Sequence, residues 1–295
     1  MKELVIISGK GGTGKTSVVA SFAALAENKA LADCDVDAAD LHLVLDPKTR
    51  YRENFSGGKV ARIMPGHCIA CGKCEEICRF NAVFYDGPGN GLYPKTFRID
   101  PVACEGCGVC VHFCAEDAIA FENAVNGQWF ISDTRWGPMA HARLGIAEEN
   151  SGKLVTLVRE KAREIAEQEN KDLIIIDGSP GIGCPVIASL TGADAALIVT
   201  EPTLSGKHDL ERVSQVCSFF GIKTFVCVNK FDLNPDITSE IENWCRDENI
   251  TFAGRIQYDD AVTRAQIEKK SVVEYTSGGV AEDIRKIWRC VFDDL

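Results

Sequence analysis

The chain has 295 residues, 45% of them apolar and 25% charged, with a formal net charge of −11. That length is about twice an ordinary domain, and that apolar share fills a core, which fits one large domain with a small insert. The acidic balance argues against nonspecific binding to a nucleic-acid backbone, and no apolar run approaches the roughly 20 residues that span a bilayer.

The N-terminus, MKELVIISG, carries no charged leader, long apolar stretch or cleavage site, and strand character begins at Leu4. A cytoplasmic protein is the expectation. The first strand, Leu4 to Ser8, runs into GKGGTGKT at 9–16, which satisfies GxxxxGK(S/T) and is followed by the helix-forming SVVASFAALAE. A strand before and a helix after are the context that motif needs. Gly11, Gly12, Thr13 and Gly14 bring backbone N–H groups to phosphates at a helix N-terminus, with Ser17 just beyond. Lys15 reaches the β and γ phosphates and Thr16 offers its hydroxyl to Mg2+. An extra lysine, Lys10, stands where positive charge stabilises a transferring phosphoryl group, unless it is only a solvated loop residue.

KGGTGKT with its early lysine resembles the deviant Walker A motif of the MinD/ParA family of P-loop ATPases, over nearly all of the chain outside the insert. The resemblance implies an α/β fold with a doubly wound, mostly parallel sheet, ATP and ADP as ligands with Mg2+, and ATP hydrolysis. It also implies a homodimer formed as an ATP sandwich, in which Lys10 reaches the partner's nucleotide.

After a second strand at 30–32 come Asp33, Asp35, Asp37 and Asp40, matching that family's switch I. In its register Asp35 orients or activates the attacking water and Asp33 lies near the Mg2+ shell. A solvated turn is the plainer reading. It is disfavoured because a strand beside the P-loop strand ends on the same edge of a doubly wound sheet.

Residues 68 to 114 hold eight of the fourteen cysteines in two copies of CxxCxxCxxxC. Three thiols of each copy turn inward on one cubane, and the fourth reaches the other cluster of a pair. This segment resembles bacterial two-cluster ferredoxins along its whole length. The resemblance implies one 4Fe-4S cluster on Cys68, Cys71, Cys74 and Cys114 and another on Cys104, Cys107, Cys110 and Cys78. Arg79 and Ala115 stand where that family usually has proline. Gly72, Gly106 and Gly108 allow tight turns and aim amides at sulfur. Disulfides need an oxidising compartment, and zinc sites usually space their CxxC knuckles further apart. The expected organisation is an inserted α+β two-cluster ferredoxin domain at 58–122 within an ATPase domain at 1–57 and 123–295.

The segment from Thr134 to Glu169 leads back to the ATPase core. Arg135, Trp136, His141 and Arg143 form the natural transmission element, and helical period follows, with a capping signature at Asn150 and Ser151. The segment resembles a subgroup of MinD-like ATPases that carry this insertion. A lone histidine such as His141 is more often structural than catalytic. DLIIID at 172–177 reads as a buried parallel strand ending in the Walker B carboxylate Asp177, which holds Mg2+ through water, with switch II at 178–183. Cys184 follows at the offset of a cluster ligand in the nitrogenase iron protein, but no second bridging cysteine or CPxC motif accompanies it. We read Cys184, with Cys34, Cys217, Cys227, Cys245 and Cys290, as a small buried residue.

Strands at 195–200 and 224–228 end at nucleotide-facing loops. They offer Pro202, in a turn, and Asn229 as base contacts. NKFD at 229–232 is also a guanine signature, but the GTPase switch motifs are missing and the deviant Walker A favours ATP. The tail from Val280 places Ile284, Ile287, Trp288, Val291 and Phe292 on one helical face. Asp293 and Asp294 oppose anionic lipid, so core packing is expected rather than membrane attachment.

Three functions compete on these residues. The first couples a nucleotide-driven dimer transition to electron transfer from the clusters to a redox partner. A carrier or scaffold ATPase for iron-sulfur or other metal-cofactor assembly, with an acceptor protein, is the second. A ParA-like positioning ATPase is the third, and it leaves both the acidic charge and the cysteines unexplained.

Overall fold

The computed structural model describes residues 1–145 and 151–295. It divides into two compact units, one of Met1–Glu53, Trp129–Arg143 and Ser151–Leu295, the other of Asn54–Gln128 with Leu144 and Gly145. In chain order β1 (Lys2–Ser8), α1 (Lys15–Leu25), β2 (Lys29–Asp33), α2 (Leu41–Leu45) and β3 (Lys48–Phe55) open the larger unit. The smaller holds β4 (Gly58–Ile63), α3 (Lys73–Glu76), β5 (Val83–Gly87), β6 (Thr96–Ile99), α4 (Val109–His112) and β7 (Ile119–Ala124). The chain then returns through β8 (Gly127–Thr134), β9 (Gly137–Leu144), α5 (Ser151–Gln168), β10 (Leu173–Pro180), α6 (Cys184–Leu190) and β11 (Ala195–Thr200). It closes with α7 (Leu204–Phe219), β12 (Lys223–Asn229), α8 (Pro235–Asp247), β13 (Thr251–Ile256), α9 (Ala261–Ile267), α10 (Val272–Tyr275) and α11 (Val280–Phe292).

The larger unit is built on a nine-stranded sheet in the order β13-β12-β11-β1-β10-β2-β9-β8-β3. Pairings from β13 across to β9 are parallel. Strands covered on both faces read as unbroken apolar runs, as in the fully buried AALIVT of β11. Alternate residues, among them Leu4, Ile6, Leu31, Ile175 and Leu197, pack with Phe22 of α1 and Ile284, Ile287 and Val291 of α11 in one core. Their neighbours Val5, Ile7, Ile174 and Ile176 are equally buried, where α5, α6 and α7 cover the sheet. Trp288 meets Phe22 edge-on with ring centres 4.9 Å apart, so the tail helix belongs to the core, while Phe292 at its end is half exposed.

One sequence expectation changes here. The segment following the cysteines is not only a connector, since Gly137–Leu144 is β9 and aligns Met139, Ala140 and His141 with Leu31, Ala32 and Asp33 of β2. Pro138 and the polar residues hide the strand in the sequence, but Met139, Ala140 and Ala142 are buried and sheet pairing overrides weak propensity. The two-residue turn at Arg135 and Trp136 makes β8 and β9 a hairpin. Asn150, on which the expected cap depends, lies outside the described residues, and α5 begins at Ser151.

In the smaller unit β4 pairs antiparallel with β7, from Gly58 opposite Ala124 to Ile63 opposite Ile119, and β5 pairs antiparallel with β6. Ala61, Ile63, Ala82, Val83, Phe97, Ile99, Ala118 and Ile119 form its core, with six cysteines of the two motifs packed on or into it.

Candidate functional site

The P-loop runs off the end of β1, and Gly14 caps α1 with φ of 87°. A side chain at Gly14 would meet Asn229 Nδ2 at 2.3 Å, whereas Gly11 and Gly12 face open space, leaving their backbone bare toward a ligand. Residues 11–17 line a cavity of about 520 Å³ together with Asp35, Asp40, Leu43, Gln266 and Ile267.

Parallel pairing of β2 with β10 sets Asp33 beside Asp177, both fully buried. Lys15, also buried, holds Asp35 Oδ2 at 3.1 Å and bonds Asp177 Oδ1. Two carboxylates therefore share one ammonium, and Asp33 adds a third negative charge beside them. Burial works to lower the pKa of Lys15, but Asp177 and Asp35 outweigh it and the pKa is raised. Burial, then the Asp177 charge, pushes Asp33 well above the usual carboxylate range, and burial raises Asp35 too. The second oxygens of Asp33 and Asp177, and Thr13 Oγ1, have no hydrogen-bond partner. Buried oxygens left bare beside surplus negative charge suit a divalent cation, which takes oxygen ligands, and Thr16 lines the same cavity.

Switch II is tied to the same place. Gly181 N–H donates to Ser8 O at 2.8 Å and the Ser179 hydroxyl to Cys34 O at 2.7 Å. Lys10, about one-third exposed, pairs with Glu201 at 3.3 Å, and Glu201 also binds Lys230 at 2.7 Å. Burial alone would raise Glu201, but Lys230 and Lys10 bring its pKa below the usual value.

Asn229 is spent on the P-loop: its Nδ2 donates to Thr13 O at 2.7 Å and its Oδ1 accepts from Lys230 N. Pro202 is buried in the turn before α7. The cavity wall away from the P-loop comes instead from α2 and from Gln266 and Ile267 of α9, with Gln266 Nε2 donating to Ser17 Oγ at 3.0 Å. No motif marks α9 in the sequence, because its place at the site depends on how the C-terminal helices pack. His141 is a sheet residue, 2.8 Å from Ser132 Oγ and stacked on Phe130, and burial, then His42, pushes its pKa down to about 4. Cys184 is exposed at the start of α6, against the expectation of a buried residue, because its helix begins at the surface just after switch II. Cys34, Cys217, Cys227 and Cys245 are buried, and Cys290 is half-buried.

In the smaller unit the eight remaining cysteines fall into two groups. Cys68, Cys71, Cys74 and Cys114 line a cavity of about 220 Å³, and Cys78, Cys104, Cys107 and Cys110 line another of about 230 Å³. Short helices α3 and α4 start at Gly72 and Gly108, both in the left-handed region. At Gly106, φ is 60° and a side chain would meet Lys59 O at 2.0 Å, so only glycine fits that turn. Ala118 N–H donates to Cys114 Sγ at 3.4 Å. Burial, reinforced by Cys68 and Cys71, raises Cys74 to about 11, and burial followed by Cys104 and Cys107 raises Cys110. Among the described residues no three His, Cys, Asp or Glu side chains are grouped to hold a single metal ion. A cubane instead puts a different iron on each thiolate, and so asks for four thiols around a cavity.

No helix among the described residues is long and apolar enough to cross a membrane. The cell division ATPase MinD of Pyrococcus furiosus superposes with a TM-score of 0.60 at 16% identity, over 100% of this chain and 99% of that one. The septum site-determining protein MinD of Pyrococcus horikoshii, complexed with Mg-ADP, gives 0.58 at 16% identity, over 98% and 95%. At such identity these likenesses establish the fold. An uncharacterised protein of Methanocaldococcus jannaschii is 35% identical over 242 residues, 79% of each chain, and a second is 26% identical over 284 residues, 93% of this chain and 94% of that one. Residues 4–272 match the family described as CbiA, the CobQ/CobB/MinD/ParA nucleotide binding domain. A parallel sheet with a P-loop on β1, facing carboxylates on β2 and β10 and a family match over nine-tenths of its length place this chain among the MinD/ParA-type P-loop ATPases.

Proposed function

We propose that the protein hydrolyses ATP as an iron-sulfur homodimer and couples the nucleotide-dependent dimer transition to electron transfer through two 4Fe-4S clusters. The observation that carries the reading is the sorting of eight cysteines into two quartets, each around its own cavity in a unit with an apolar core. Four thiols gathered around each cavity, from exposed Cys71 and Cys107 to buried Cys68, leave a hollow that a cationic group bound to their thiolates would fill. Once bound, a cluster supplies a one-electron redox site.

In the ATPase unit the bare P-loop amides and Lys15 would bind the phosphates, and Thr16, Asp33 and Asp177 would hold Mg2+, which would supply positive charge to the phosphates. Taking up nucleotide draws Lys15 off Asp35, which is then free to orient water. The Mg-ADP complex of the Pyrococcus horikoshii structure supports this ligand choice. Lys10 must leave Glu201 to reach a partner's nucleotide, so the ion pair seen here belongs to the unpaired protomer. Coupling follows from linkage: if ATP favours one conformation, each tenfold shift of a one-electron equilibrium moves a midpoint by about 59 mV.

Anaerobic reconstitution followed by iron and sulfide counting, then a redox titration monitored by EPR with and without ATP, tests the proposal. About eight irons per chain and a midpoint that moves with ATP are expected. Fewer irons at saturation refute the two-cluster reading. Eight irons with ATP-independent midpoints refute the coupling, and transfer of that iron to an apo-protein would establish a carrier instead.

A further inference from the structure

The two cysteine cavities are related by a sequence repeat of thirty-six residues, the separation of Cys68 from Cys104, and their linings correspond position by position. At four of the corresponding positions the repeats differ in charge. The first cavity has Ile69, Lys73, Ala115 and Glu116 where the second has Glu105, Val109, Arg79 and Phe80. Lys73 is neutralised by Glu76 at 3.3 Å, whereas Arg79, Glu105 and Glu116 make no ion pair among the described residues. The first cavity is thus left with the negative charge of Glu116, and in the second Arg79 balances Glu105. A further cation stands at the second loop. Lys59 places its ammonium 5.0 Å from the centre of the Phe121 ring, which lies 3.2 Å from where a Gly108 side chain would be, while the Lys59 backbone abuts Gly106.

A redox site gains one negative charge when reduced, so a neighbouring cation favours the reduced state and a neighbouring anion opposes it. We propose that Arg79 and Lys59 raise the potential of the site formed by Cys78, Cys104, Cys107 and Cys110, while Glu116 lowers that of the site formed by Cys68, Cys71, Cys74 and Cys114, giving internal electron transfer a direction from the first to the second. An electron taken from a low-potential one-electron donor at the first site passes to the second. The first is thereby reoxidised by one electron and the second reduced by one, with no bond or proton exchanged. The inference rests on the two-cluster reading and adds an order to it. Arg79, Lys59 and Glu116 are positioning residues, since none is a ligand.

The experiment is an EPR-monitored dithionite titration of the reconstituted full chain. Two midpoints at least tenfold apart in their one-electron equilibria are expected, about 59 mV. Arg79→Gln lowers the upper midpoint three- to tenfold, about 30 to 59 mV, and leaves the lower one in place; Glu116→Gln raises the lower one by a similar factor. All three side chains are exposed, so higher ionic strength narrows the gap, which a merely structural role would not do. A single midpoint that neither variant moves, or a shift of the lower midpoint by Arg79→Gln, overturns the proposal. Iron counts separate the failures: about eight irons with equal midpoints refutes the ordering alone, and fewer irons refutes the clusters themselves.

Discussion

Asp33→Asn should stabilise the Mg2+-free protein and abolish its stabilisation by Mg2+. Asp33 and Asp177 sit opposite each other on neighbouring strands, whose backbones run about 4.8 Å apart in any sheet, and both are fully buried. Two like charges at that distance repel by about 3 kcal/mol at an effective dielectric constant of 20. Attraction to Lys15 offsets part of this, leaving a net gain of about 1–2 kcal/mol, or about 2–8 °C in Tm for a unit of this size. Asparagine keeps the oxygen that accepts from Asp35 N at 3.3 Å, so the turn after β2 is preserved. The pKa of Asp33 is raised in the fold by burial and by the neighbouring Asp177 charge. A carboxyl harder to ionise when folded leaves stability complete below its unfolded pKa, and stability is lost as pH rises through the folded one. The Mg2+-free wild type should therefore gain stability on mild acidification, and Asp33→Asn should flatten that slope. Urea denaturation across pH, with and without Mg2+, measures both effects. At a hundredfold excess over Kd the wild type gains about 2.7 kcal/mol from Mg2+ and the variant little. A Mg2+-free variant less stable than wild type at neutral pH would refute the crowded-carboxylate argument.

Three further outcomes are expected. Glu201→Gln releases Lys10 from its ion pair and should increase ATP-dependent dimer about twofold to fivefold in analytical ultracentrifugation, consistent with the ~1 kcal/mol of a partly exposed pair; unchanged dimerisation would show that this pair does not hold Lys10 back. Gly106→Ala forces a methyl group onto Lys59 O in a left-handed turn, costs about 1–3 kcal/mol, and should reduce reconstituted iron by about four per chain while ATP hydrolysis by the other unit persists. Asn229→Ala unties the P-loop carbonyl of Thr13 and should weaken ATP binding about fivefold to tenfold by calorimetry, from ~1–1.5 kcal/mol for one lost hydrogen bond; a change confined to adenine over guanine preference would restore the base-contact reading.

Much of the ATPase architecture is legible in the chain because its signals are short-range. The strand, glycine-rich loop and helix at 2–25 follow one another without interruption, and the unbroken apolar runs of β10 and β11 mark strands covered on both faces. The sheet edge is less legible. β9 carries a proline and a histidine within eight residues and is a strand because β2 offers it a parallel partner. Cys184 shows the converse limit, since composition makes cysteine a core residue and only the position of α6 exposes it.

Covalent spacing is enough to write the chemistry that neighbouring residues make together: a phosphate loop with its lysine, a carboxylate at the end of β2 and another late in β10, and two repeats of closely spaced thiols. Tertiary structure alone decided what distant segments do to those groups. It set Glu201 against Lys10, turned Asn229 onto the P-loop, brought Gln266 to the nucleotide cavity and gave the two cysteine cavities different charges. The division is physical. A motif is written by covalent spacing, whereas a field or a cavity wall sums over residues that only packing brings together.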